Sequence, residues 1–186
     1  MDDPADGVVG VLISEDRLRE RVRELGRQIS TDYAGKKLFL VGILKGSAIF
    51  LGDLIREIDL DVDYDFIAIS SYGGDKHSSG VVRILKDLDS DVQGRDVLIV
   101  EDIVDTGWTL RMSYLAENLL ARGAAGVKIC TLLDKPSRRR IDVAVDYSGF
   151  AIDDHFVVGY GLDFEGCYRN LRYIGIVKSG GQTIKN

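Results

Sequence analysis

The sequence predicts an α/β fold, a mainly parallel β-sheet covered by helices. Three observations predict it. Short apolar runs alternate with helix-spaced patterns along the chain. The runs are apolar at successive positions, so both faces of each strand are buried, as in a parallel sheet. Polar or glycine-rich residues follow the runs, where ligands sit in such sheets.

The elements follow in order. Leu18, Val22, Leu25 and Ile29 recur at helical spacing, with Ser14 as N-cap and Glu15 and Asp16 in the first turn. KKLFLVGIL is too continuous for an amphipathic helix and reads as a buried strand. A second helix carries Phe50, Leu51, Leu54, Ile55 and Ile58 on one face. YDFIAISSY and DVLIVED are strands; the helix after them carries Leu110, Leu115 and Leu119 and stops at Gly123. VKICTLL is a further strand, and DHFVVGYGLDF reads as another. The stretch Gly73 to Gly80 (GGDKHSSG) has no apolar periodicity and reads as a mobile loop.

Composition bounds the function. The chain has 186 residues, 45% hydrophobic and 29% charged, the size of one domain with a filled core. Its 24 basic and 30 acidic side chains leave a net charge of −6, against the basic surplus of nucleic-acid binders. Cys130 and Cys167 have no metal-site spacing and read as intracellular thiols, Cys130 buried in an apolar run and Cys167 in a polar loop. The N-terminus has neither the basic nor the apolar region of a signal peptide, and no run reaches the ~20 apolar residues of a membrane helix. The expectation is a soluble cytoplasmic protein with neither a nucleic-acid nor a membrane partner.

The candidate ligand-binding residues are those after the apolar runs: Lys45-Gly46-Ser47, Ser71-Tyr72, Glu101 to Thr109, Asp134-Lys135 and Gly159 to Asp163. VLIVEDIVDTGWTL is the most informative segment. Its first half is a strand, and its second half turns into a helix through Asp105, Thr106 and Gly107. A helix N-terminus offers backbone N–H groups and partial positive charge, the threonine hydroxyls add donors, and Gly107 permits close approach. Such a cradle suits a phosphate monoester, and Glu101 and Asp102 beside it suit sugar hydroxyls or magnesium. The plain alternative is a strand entering an acid-capped helix. Asp105-Thr106-Gly107 is also the tripeptide of aspartic proteases, but it occurs once here, in an α/β rather than all-β pattern.

VLIVEDIVDTGWTL resembles the 5-phosphoribosyl 1-diphosphate (PRPP) motif of phosphoribosyltransferases. LKGSAIF, ISSYGG, LLDKPSRR and FVVGYGLDFEGCYRNL resemble, in that order, segments of the bacterial hypoxanthine (hypoxanthine-guanine) phosphoribosyltransferase family. The similarity runs from about Val41 to Gly175.

The resemblance implies the type I phosphoribosyltransferase fold in a single domain, 1–186, with a small hood from the N-terminal segment and about 150–186. It implies roles residue by residue. Glu101 and Asp102 are ribose-side carboxylates and magnesium ligands, Asp105 is the catalytic group facing purine N7, and Asp105, Thr106, Gly107, Trp108 and Thr109 hold the 5′-phosphate. Lys45 and Gly46 form a pyrophosphate loop with a cis peptide before a non-proline residue, and Arg169 is a further pyrophosphate contact. Lys135 donates to the purine 6-oxygen, Phe156 stacks on the base, Val157 meets its edge through the backbone, and Asp163 is a magnesium ligand. Ser71 and Tyr72 begin a loop that closes over the reacting sugar. The implied substrates are PRPP and a 6-oxopurine, the cofactor is Mg2+, and the assembly is a homodimer or homotetramer.

Each residue also has a plain structural reading: Lys135 and Arg138 to Arg140 as a solvated loop, Phe156 as core, Lys45-Gly46-Ser47 as a simple turn. Trp108 departs from the family by placing an indole in the phosphate loop. His155 stands where a basic residue is common, and Arg172 where proline is frequent. Two other functions share the pattern: a relative preferring xanthine or guanine, and a PRPP-sensing regulator that binds nucleic acid. The acidic charge and the joint presence of Lys135, Phe156 and Asp105 favour the enzyme.

Overall fold

The computed structural model describes residues 7–71, 82–105, 108–136 and 144–177. Among the described residues, nine strands and three helices run in the order β1 (Val8–Ile13), α1 (Glu15–Asp32), β2 (Leu38–Ile43), α2 (Ser47–Arg56), β3 (Asp63–Ser71), β4 (Val82–Lys86), β5 (Asp96–Val104), α3 (Trp108–Ala121), β6 (Gly126–Asp134), β7 (Tyr147–Ala151), β8 (Val157–Val158) and β9 (Ile174–Val177). Six strands form one sheet in the order β4-β3-β2-β5-β6-β7, and β1-β9-β8 form a second. In the large sheet β2, β3, β5, β6 and β7 are parallel, and β4 is an antiparallel edge on β3.

The continuous apolar runs have the consequence expected of them. Along β2, Leu38 and Leu40 join the core under α1 and α2, while Phe39, Val41 and Ile43 join the core under α3. Leu98 and Val100 of β5 face the first core, and Val97 and Ile99 the second. Successive strand side chains point to opposite faces, so only a strand covered on both sides needs apolar residues throughout.

The helices follow their local signals. Ser14 caps α1 by accepting from the Arg17 N–H at 3.4 Å, and Leu18, Val22, Leu25 and Ile29 form its buried stripe. Gly123, at φ 88°, turns the chain after α3 and donates its N–H to the Leu120 carbonyl at 2.9 Å. α2 ends at Arg56, so Ile58 is buried by the loop beyond the helix rather than by its face.

The expected strand DHFVVGYGLDF is largely a set of turns. Only Val157 and Val158 are extended, because Gly159, Tyr160 and Gly161 all adopt positive φ (98°, 51° and 104°) and break the ladder. The second sheet shares the α1–α2 core through Ile13, Val157, Tyr160, Leu162 and Ile174. No helix among the described residues is long and apolar enough to cross a membrane.

Candidate active site

β2 has β3 on one side and β5 on the other, so the chain reverses its winding direction there. Connections that diverge from neighbouring strands leave a crevice at their carboxyl ends. The turn at Lys45-Gly46 leaves β2 at this point, and Glu101, Asp102 and Asp105 lie on the last residues of β5 and just beyond. A cis peptide joins Leu44 and Lys45, at the turn where the resemblance implies one. Lys45 is exposed, whereas Gly46 is buried against Asp102 so closely that a Cβ at position 46 would overlap the carboxylate. A side chain at position 46 would have to displace that carboxylate, so glycine lets the Lys45–Gly46 turn pack directly on Asp102.

Asp105 leaves β5 next to the end of β6, where Val104 pairs with Asp134. The Lys135 N–H donates to the Val104 carbonyl at 3.2 Å, which fixes the start of its side chain. Its ammonium donates to Asp105 Oδ2 at 3.3 Å and lies 3.6 Å from Asp154 Oδ1. The Lys135 side chain is 6% exposed, so it is no solvated loop lysine. A charge taken that far out of water needs close counter-charges, and the two aspartates supply them. Glu101 is likewise buried, at 7% exposure.

Asp154 also joins the second sheet's approach to the crevice. The segment after β7 bonds back to β6 through the Ile152 N–H and the Asp134 carbonyl, 2.9 Å apart. Two residues beyond Asp154, Phe156 is 44% exposed and meets Phe164 edge to face, with centroids 5.3 Å apart at 83°. Phe156 is thus an exposed ring braced by a second ring rather than part of the core. Val157 is buried in β8, paired with Ile176, and the preceding Phe156 carbonyl accepts from the Val177 N–H at 3.0 Å.

The turn after β8 closes the crevice from the side of β2. A Cβ on Gly161 would overlap the Gly46 carbonyl oxygen, so the two turns touch through their backbones. Arg169 holds that turn. Its Nη1 donates to the Gly161 carbonyl at 2.5 Å, its own carbonyl accepts from the Gly161 N–H at 3.0 Å, and its guanidinium pairs with Asp163 at 2.5 Å. Asp163 Oδ2 also accepts from the Gly166 N–H at 2.8 Å. Gly161 and the Lys45–Gly46 turn thus bring Arg169 and Asp163 to the same end of the sheet as Asp102.

The remaining expected residues fall differently. Thr106, Gly107, Tyr72, the loop Gly73 to Gly80 and Arg138 to Arg140 lie outside the described residues. Trp108 and Thr109 open α3, and Ser71 ends β3; their side chains also lie outside what is described. Three residues escaped the sequence reading. Asp154 pairs with Lys135, Phe164 braces Phe156, and Asp53 accepts from Tyr160, all across separations that no local spacing reveals.

The fold is an α/β domain whose crevice lies at the carboxyl ends of a parallel sheet, where such domains bind ligands. A profile of the phosphoribosyl transferase domain matches residues 14–165, and the chain belongs to that family. The hypoxanthine-guanine phosphoribosyltransferase of Bacillus subtilis is 51% identical over 168 residues, 90% of this chain and 92% of that protein. That of Lactococcus lactis is 52% identical over 90% of both. The bifunctional protein TilS/HprT of Listeria monocytogenes is 52% identical over 90% of this chain, which spans about a quarter (26%) of that protein's length. The solved structure of a hypoxanthine phosphoribosyltransferase from Staphylococcus aureus has a TM-score of 0.88 and 47% identity, covering 93% of each chain.

Proposed function

We propose that this chain transfers the 5-phosphoribosyl group of PRPP to N9 of hypoxanthine, and of guanine, releasing pyrophosphate and forming IMP or GMP. The observation that carries this reading is the buried Lys135 ammonium between Asp105 and Asp154 at the crevice, the chemistry a 6-oxopurine needs. Lys135 donates to the 6-oxygen; adenine's amino group would set donor against donor. Phe156, braced by Phe164, stacks on the base, and Val157 meets its edge through the backbone.

Asp105 exchanges the proton at N7 as the purine changes tautomer, a general acid–base task. Glu101 and Asp102 hold the ribose hydroxyls and favour positive charge developing at C1. The segment Asp105 to Thr109, with Thr106, Gly107 and Trp108, cradles the 5′-phosphate at the α3 N-terminus. Lys45, Gly46 and Arg169 receive the pyrophosphate.

The donors fit magnesium. They are carboxylate oxygens, and among the described residues no three or more His, Cys, Asp or Glu side chains gather into a metal cage. Magnesium is commonly held by one or two carboxylates together with substrate phosphates, so it would arrive with PRPP, with Glu101 and Asp102 as carboxylates at one place and Asp163 at another. Bound magnesium supplies charge neutralisation on the departing pyrophosphate.

The enzyme works in the cytoplasm, a reading the free thiols Cys130 and Cys167 support. It assembles as a homodimer or homotetramer, which light scattering of the purified protein tests. The activity test is a panel of hypoxanthine, guanine, xanthine and adenine with PRPP and magnesium. Hypoxanthine and guanine turn over and adenine reacts far more slowly; efficient adenine turnover sinks the assignment, and a xanthine preference redirects it to the neighbouring specificity.

A further inference from the structure

Tyr160 is an anomaly within the turn that touches Gly46. It adopts φ 51°, a left-handed backbone that disfavours any residue with a Cβ, between two glycines that adopt it freely. Something must hold a tyrosine there. Its N–H donates to the Leu171 carbonyl at 2.8 Å, and its buried phenol donates to Asp53 Oδ2 at 2.7 Å. Burial, together with the Asp53 carboxylate, pushes the phenol far above its usual range, so it remains a donor.

Asp53 belongs to α2, whose first residue follows Gly46 directly. The helix therefore touches the 159–161 turn twice: at its head, where Gly46 meets Gly161, and two turns along, where Asp53 meets Tyr160. Two contacts fix an orientation where one leaves a hinge. The same turn carries Gly161, whose N–H and carbonyl both engage Arg169. Packing alone needs no hydroxyl at position 160, and a phenylalanine would fill that space.

We propose that the Tyr160–Asp53 hydrogen bond is a positioning device for pyrophosphate, locking the turn that presents Arg169 onto the Lys45–Gly46 turn at the head of α2. Tyr160 and Asp53 touch no substrate; they act through Gly161, Gly46 and Arg169. The inference rests on the pyrophosphate role given above to Lys45, Gly46 and Arg169.

The test is a kinetic cycle on the full chain with PRPP, hypoxanthine and magnesium. Tyr160→Phe removes the donor and keeps the ring. It should raise KM for PRPP by about 10- to 100-fold, the effect of losing a hydrogen bond to a charged group, and weaken pyrophosphate product inhibition in parallel. KM for hypoxanthine should stay within about twofold, since Lys135 and Phe156 are held by other contacts. Asp53→Ala should reproduce this pattern, Asp53→Asn should restore it because its amide oxygen accepts, and the double variant should be no worse than either single one. Should Tyr160→Phe not fold, Asp53→Ala and Asp53→Asn, on a surface helix, decide alone. Equal rises in both KM values, or no rise in either, overturn the proposal. Arg169→Ala separates the two readings: an unchanged KM for PRPP overturns the pyrophosphate role and the proposal with it. A raised KM beside an unaffected Tyr160→Phe overturns the positioning device alone.

Discussion

Two lysines of this fold stand beside pairs of aspartates, one at the sheet's edge and one at its crevice. At the β3–β4 edge, Lys86 donates to the carbonyls of Phe66 and Asp87, both at 2.9 Å, and to Asp65 and Asp89 at 3.2 and 3.3 Å. Four acceptors thus compete for three protons. At the crevice, among the described residues, the Lys135 ammonium has one hydrogen bond, 3.3 Å to Asp105, and one longer pairing, 3.6 Å to Asp154. Yet Lys135 is the buried one, at 6% against 39% exposure. A saturated, half-exposed lysine stitches a strand to its neighbour. A buried lysine held by charge more than by hydrogen bonds retains donor capacity for something that enters. Polar saturation, more than burial, separates the two lysines.

Four substitutions bear on that contrast. The largest effect belongs to Asp105→Asn, which keeps the shape but removes proton exchange: kcat should fall by ~10²–10⁴ with little change in PRPP affinity. An unchanged kcat where chemistry limits turnover would reduce Asp105 to a partner for Lys135. Next, Lys135→Ala should lower kcat/KM for hypoxanthine by about 10- to 100-fold, the cost of losing one charged donor, and leave adenine's slow turnover where it was. If adenine and hypoxanthine suffer equally, Lys135 does not read the 6-position.

The edge should answer in stability rather than rate. Burial pushes the Asp65 carboxyl up, but the N–H groups of Phe66 and Asp89 and the Lys86 ammonium outweigh it and hold it below the usual carboxylate range. A depressed native value means that the unfolded state binds the proton more readily. Asp65 therefore stabilises the fold above its unfolded pKa of about 3.9, and that contribution is lost as pH falls through the lower native value. Asp65→Ala should cost about 1–3 kcal/mol in urea unfolding at neutral pH, with kcat unchanged, and should flatten the stability loss in acid. A steeper acid loss in the variant would reverse the argument. The smallest effect is expected of Asp87→Asn, which breaks the surface pair with Arg122 at 2.7 Å; such pairs contribute about 1 kcal/mol or less. A loss well beyond that would mean the pair anchors α3 to the sheet edge.

Much of this was legible in the residues. β2, Val97 to Val100 of β5 and Ile129 to Leu133 of β6 are buried at successive positions because helices cover both faces, so they stand out as apolar runs. The crevice residues stand out because each follows such a run. β1, β4, β7 and β9 went unread for one physical reason: each leaves at least half of its residues outside the fully buried core, so none shows as an unbroken apolar run. Val9 and Val11 of β1 are exposed, so its pattern does not mark a core. The pairings Lys135–Asp154, Phe156–Phe164 and Tyr160–Asp53 were illegible for a different reason. They are made by residues outside the long strands, whose direction depends on local backbone angles, as at Gly159, Tyr160 and Gly161 for Tyr160, rather than on hydrophobic periodicity.

The pairing of β1 with β9 has a consequence in time as well as space. Val8 sits opposite Val177, so this ladder joins residues almost the whole described length apart. Contacts of such separation carry the largest loop-closure entropy and form after closer ones. β2, β5 and β6 can assemble around α1 to α3 before β9 has been synthesised, carrying Lys45, Asp105 and Lys135 into place. The strand that follows Arg169 locks last, so Phe156 and Val157, which bond to β9, and Arg169 just before it are set after Lys45, Asp105 and Lys135. Pulse-labelled hydrogen exchange during refolding should therefore protect β9 amides after those of β2 and β5, whereas simultaneous protection would mean that the two sheets fold as one unit.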